Sequence, residues 1–154
     1  MAGLLIIAHA PLASALRSVA QHTFPERLQF LEALDVHPGM SPEEIEASAR
    51  LLLHKVRNPD VLILTDVFGA TPCNVAQKLA LAHSDEGFQV KIVAGVNVPM
   101  LWRALCYEED AIDLLVNRAI SGATQGVMPV GIPKPQNQAS KGPPHDQGHA
   151  HHQQ

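Results

Sequence analysis

The chain has 154 residues, 16.6 kDa of one-domain size, and 11 Lys and Arg against 15 Asp and Glu, a formal charge of −4. That balance, with one Trp, one Tyr and four Phe outside any basic cluster, excludes nucleic acid as a partner class. The longest apolar runs fall far short of a bilayer span and residues 1–10 lack a basic leader, so neither membrane insertion nor export is expected and the chain reads as cytoplasmic.

Leu4-Leu5-Ile6-Ile7-Ala8 is a short, continuous apolar run of the kind buried on both faces of a parallel sheet, and it predicts a central first strand. Pro11 suits a first helical turn, with Leu12, Leu16 and Val19 following at helical spacing, so His9 and Ala10 lie at a strand-to-helix junction. Residues 29–36 read as a second strand, and His37-Pro38-Gly39 is turn chemistry. Ser41-Pro42-Glu43-Glu44 is a capping-box arrangement opening a helix whose apolar face holds Ile45, Ala49, Leu52, Leu53 and Val56.

Val61-Leu62-Ile63-Leu64-Thr65 is another buried-strand run, ending at Asp66. The turn-rich Gly69-Ala70-Thr71-Pro72 follows, with Thr71 the expected N-cap of a helix and Pro72 its first residue. Residues 89–94 form a fourth strand pattern, the loop 95–99 carries Asn97, and helical patterns cover 100–106 and 110–120. This alternation implies an α/β domain over residues 1–130: a central, mainly parallel sheet covered by helices on both faces. Ligands of such sheets bind beyond the carboxyl ends of the strands, where His9, Asp66 and the loop at Asn97 all fall.

From Gly131 the composition turns to Pro, Gln, Gly and His, which predicts a disordered tail over 131–154. Its His145, His149, His151 and His152 are given no site. Cys73 and Cys106 make no ligand pair, and Cys73 reads as packing. His22, His37, His54 and His83 end no core strand and have no metal-ligand spacing, so they read as surface or loop residues.

Four segments together resemble the mannose-family IIA component of the bacterial phosphotransferase system. They are the strand-end His9, the turn Val36-His37-Pro38-Gly39, the block from Val61 to Asn74, and Ala94-Gly95-Val96-Asn97-Val98-Pro99-Met100-Leu101. The resemblance implies that His9 receives a phosphoryl group from the carrier HPr and donates it to a separate IIB-type acceptor, or reports phosphorylation as a regulator. It implies a homodimer too, paired through a C-terminal edge strand, for which apolar residues 127–130 with Pro129 are suited. The family motif Gly-Gly-Ser-Pro-Phe-Asn is here Gly69-Ala70-Thr71-Pro72-Cys73-Asn74, which keeps a hydroxyl at Thr71 but changes the surface a partner meets. The alternatives are the phosphoryl-carrying subunit of a dihydroxyacetone kinase system and a non-catalytic small-molecule-binding module.

A neutral imidazole is nucleophilic only at the nitrogen without a proton, so a phosphoryl-accepting His9 needs a partner that fixes its tautomer. Asp66 is the expected orienter, through a hydrogen bond from Nδ1–H that leaves Nε2 free. Amides at Ala10, Gly69 and Ala70, with the Thr71 hydroxyl, are the expected hydrogen-bond donors to the phosphoryl group at two helix starts, and Asn97 is a further candidate lining residue. No metal or other cofactor is expected, and no Gly-x-x-x-x-Gly-Lys cradle for a nucleotide occurs.

Overall fold

The computed structural model describes residues 2–136. Four strands, β1 (Gly3–His9), β2 (Leu31–Val36), β3 (Val61–Thr65) and β4 (Val90–Ala94), form one sheet in the order β2-β1-β3-β4. Every pairing is parallel, with Leu4 opposite Leu31 on one side and Leu62 on the other. The helices are α1 (Leu12–Thr23), α2 (Pro42–Val56), α3 (Thr71–Ala82), α4 (Val98–Cys106) and α5 (Ile112–Gln125).

Alternation along β1 divides the core. Leu4, Ile6 and Ala8 join Leu62 and Leu64 against α1, α4 and α5, while Leu5 and Ile7 join Val61 and Ile63 against α2 and α3. Both sheet faces are therefore buried, which is why these strands are continuous apolar runs. Gly3 is required where β1 begins, because a Cβ there would stand 2.0 Å from the Val56 carbonyl oxygen at the end of α2. The chain leaves β1 towards β2 on one side and later returns as β3 on the other, so a switch point opens beyond His9.

The capping box forms as expected. The Ser41 hydroxyl accepts from the Glu44 N–H at 3.2 Å, and the Glu44 carboxylate accepts from the Ser41 N–H at 3.2 Å. Several boundaries differ from expectation. Gln29 and Phe30 finish a 3₁₀ turn over Pro25–Phe30, so β2 starts at Leu31, where the side chain first enters the core. Helix α4 starts at Val98 because Asn97 caps it, and α5 runs on to Gln125. Residues 127–130 are not a strand in the single chain. Val127, Met128 and Val130 lie 76%, 64% and 87% exposed, with no ladder partner among the described residues. Residues 131–136 are exposed and without helix or strand, and the rest of the tail, with its four histidines, falls outside the described residues.

Candidate functional site

The β1–β3 register pairs Ile7 with Thr65, and one step further the two chains part. There the Asp66 side chain continues the ladder. Its Oδ2 accepts the His9 backbone N–H at 3.0 Å and lies 2.7 Å from His9 Nδ1, while Oδ1 accepts the Val67 N–H at 2.9 Å. Asp66 is thus held by two backbone amides before it meets the imidazole.

Burial, with the Asp66 side chain 10% exposed, pushes its carboxyl up. The hydrogen bonds from the His9 backbone, the His9 ring and Val67 outweigh that penalty, and the carboxyl sits below the usual carboxylate range. It is ionised at neutral pH. An ionised carboxylate can only accept, so Nδ1 carries the proton and donates it in the hydrogen bond, and the free lone pair belongs to Nε2. The His9 side chain is 53% exposed, so an incoming group has open access to that nitrogen.

His9 borders a cleft of about 310 Å³ shared with Ala10, His37, Pro38, Met40 and Thr71. Thr71 is therefore near His9, but it is not the N-cap. Ala70 takes that position in an extended conformation, Thr71 and Pro72 open the helix, and no side chain caps α3. The first intrahelical bond runs from the Asn74 N–H to the Ala70 carbonyl at 3.0 Å, leaving the Thr71 and Cys73 amides at an uncapped, positive helix end. Gly69, with φ +82°, makes the turn that aims this end, a conformation only glycine adopts without strain. Gly69 and Ala70 do not border the cleft themselves, and the Ala70 N–H makes a long 3.5 Å bond to the Val67 carbonyl.

The other helix start is already taken. The Ala10 N–H donates to the Val36 carbonyl at 3.0 Å, which uses the amide expected to hold phosphoryl oxygen. Asp35, on β2, accepts the Ser14 N–H at 3.0 Å and the Ser14 hydroxyl at 2.5 Å, so an internal carboxylate occupies the start of α1. Asn97 is not brought to His9 either. Its Oδ1 accepts the Met100 N–H at 2.9 Å, its amide donates to the Ala123 carbonyl at 3.4 Å, and it borders a separate cavity with Gly95, Thr124 and Val127.

Two residues near the site carried no site expectation. His37 opens the turn after β2 and is an exposed loop residue as expected, yet it borders the cleft with His9, and the strand-end rule applied to β2 points to it. Asp35 carried no such signal, because its contact with Ser14 depends on β2 lying beside β1. Cys73 is buried and Cys106 exposed, and both are free thiols. A larger cavity of about 740 Å³ beside Trp102, Tyr107 and Met128 is lined by no histidine or carboxylate among the described residues.

The geometry defines a class: a parallel α/β domain presenting an oriented strand-end histidine beside an uncapped helix start. Residues 3–120 match the mannose-type IIA family, described as PTS system fructose IIA component, and the chain belongs to that family. It is accordingly a phosphotransferase-system IIA domain, with a phosphoryl-carrier role in the general sense. The mannose-specific EIIAB component of Escherichia coli K12 is 29% identical over 113 residues, 71% of this chain, and the chain spans about a third (33%) of that relative's length. The mannose/sorbose-specific IIA subunit from Enterococcus faecalis shares the fold at a TM-score of 0.76 with 22% identity, over 86% of this chain and 97% of that one. The EIIA component from Streptococcus agalactiae does so at 0.72 with 24% identity, over 84% and 97%. Among the described residues no helix is long and apolar enough to cross a membrane.

Proposed function

We propose that the protein accepts a phosphoryl group from phospho-HPr on His9 Nε2 and passes it to a separate IIB-type acceptor or a regulatory target in the cytoplasm. The observation that carries this reading is the 2.7 Å contact between His9 Nδ1 and Asp66 Oδ2, made by a carboxylate anchored on two backbone amides. In the transfer, the Nε2 lone pair forms the new N–P bond while the donor's bond to phosphorus breaks and its electron pair leaves with the donor. The ring keeps its Nδ1 proton and becomes cationic. Asp66 balances that charge without a proton having to move.

In this reading the Thr71 hydroxyl and the first-turn amides of α3 take the phosphoryl oxygens, supported by Thr71 lining the cleft with His9 and by the uncapped start of α3. Val67 and Phe68, 55% and 77% exposed in the loop after Asp66, supply an apolar rim on which a protein donor can seat. We further propose a homodimer in which residues 127–130 find on a second copy the strand partner they lack among the described residues.

Incubation with phosphoenolpyruvate, the general donor enzyme and HPr should label the protein with about one acid-labile, base-stable phosphoryl group per chain, and His9→Ala should abolish it. Stoichiometric labelling of His9→Ala would refute the assignment. Failure of the wild type to label would favour a small-molecule-binding role for the cleft.

A further inference from the structure

Helices α2 and α3 run side by side on one face of the sheet, and their last turns meet at the amino ends of the strands, the end opposite His9. His54 lies in the last turn of α2, His83 is the residue closing α3, and Glu86 follows in the turn towards β4. One possible ligand atom from each of the three lies within 4.8 Å of the others.

His83 is the informative member. Its side chain is completely buried, and Nδ1 stands 2.8 Å from the Leu79 carbonyl, which can only accept. Nδ1 therefore carries the proton, and the lone pair sits on Nε2. That Nε2 has no hydrogen-bond partner among the described residues, since Glu86 Oε2 is 3.9 Å away. A buried imidazole with one nitrogen fixed by a backbone carbonyl and the other orphaned is how a metal-ligating histidine is prepared.

We propose that His54, His83 and Glu86 form a divalent transition-metal site of Zn²⁺ type, with a fourth position open to water. Two imidazoles and a carboxylate suit Zn²⁺, and bonds of about 2.0–2.1 Å in a tetrahedron set ligand atoms about 3.4 Å apart. Rotamer changes in the exposed His54 and Glu86 close the present spread around the fixed His83. Glu86 and the carbonyl ends of two helices favour a cation there. The opposing charge is Arg57, whose guanidinium stacks 4.9 Å from the Phe88 ring, itself 5.6 Å from the His83 ring. Bound metal would tie the end of α2 to the end of α3, remote from the phosphoryl site.

The test uses the full chain, because His145, His149, His151 and His152 are then equally present in every variant. Calorimetric titration with Zn²⁺ and thermal unfolding with and without Zn²⁺ compare wild type with His54→Ala and Glu86→Gln, both exposed positions whose loss leaves the core intact. The wild type should bind one more equivalent than His54→Ala, or bind it about a hundredfold or more tighter, and Zn²⁺ should raise its Tm more than that of either variant. Mg²⁺ should do neither. Equal stoichiometry, affinity and Tm shift in all three proteins, or equal stabilisation by Mg²⁺, would overturn the site and leave His83 a core residue.

Discussion

Asp66→Asn isolates charge from size at the site. In the wild type, Oδ2 serves both the His9 N–H and the His9 ring, and Oδ1 serves the Val67 N–H. An amide has only one oxygen. If its NH₂ faces His9 it opposes the backbone N–H and drives the ring to the tautomer with Nε2 protonated, which cannot attack. If the NH₂ faces Val67, donor meets donor there, and the ring keeps its tautomer but loses its counter-charge. Either arrangement should slow phosphorylation by roughly 10²–10⁴-fold, about 3–5 kcal/mol of transition-state stabilisation. Rapid-quench measurement of transfer from phospho-HPr checks this, with circular dichroism to confirm the fold. A rate within about threefold of wild type would mean that something other than the carboxylate fixes the tautomer. The variant should also change acid stability. The folded Asp66 carboxyl lies below the usual carboxylate range, so its contribution is fully present above the unfolded pKa and is lost as pH falls through the folded value. Asp66→Asn removes this part of the acid-unfolding profile.

Thr71→Val keeps shape but removes a hydroxyl from the residues that line the cleft with His9, and it should slow phosphoryl acceptance about tenfold, the worth of one hydrogen bond to a charged group, by the same quench assay. Gly3→Ala should destabilise by about 1–3 kcal/mol or more in urea titration, because the added methyl meets the Val56 carbonyl and both partners are backbone. Truncation after Gly126 should halve the mass seen by light scattering at micromolar concentration, whereas truncation after Lys134 should leave it unchanged; a full-length monomer would refute the dimer.

Local chemistry was legible without the fold. The apolar runs at β1 and β3, the capping box at Ser41 and the placement of His9 and Asp66 at strand ends depend on residues a few positions apart, and all of them stand. The uncapped start of α3 was half legible: the turn was clear, but whether Ala70 or Thr71 is the N-cap is decided by the backbone that Gly69 turns.

What tertiary structure decided is every contact set by strand order. With β3 next to β1, Asp66 reaches His9 across 57 positions; with β2 on the other side, Asp35 claims the start of α1 and the Val36 carbonyl takes the Ala10 amide. The same order brings His37 into the cleft and packs α2 against α3 so that His54 meets His83. Asn97 spends its side chain on capping α4 and holding the Ala123 carbonyl in α5. Periodicity reports which face of an element is buried, whereas the identity of the neighbour follows from how the sheet is wound, and a polar side chain bonds to whichever unpaired backbone group that winding sets beside it.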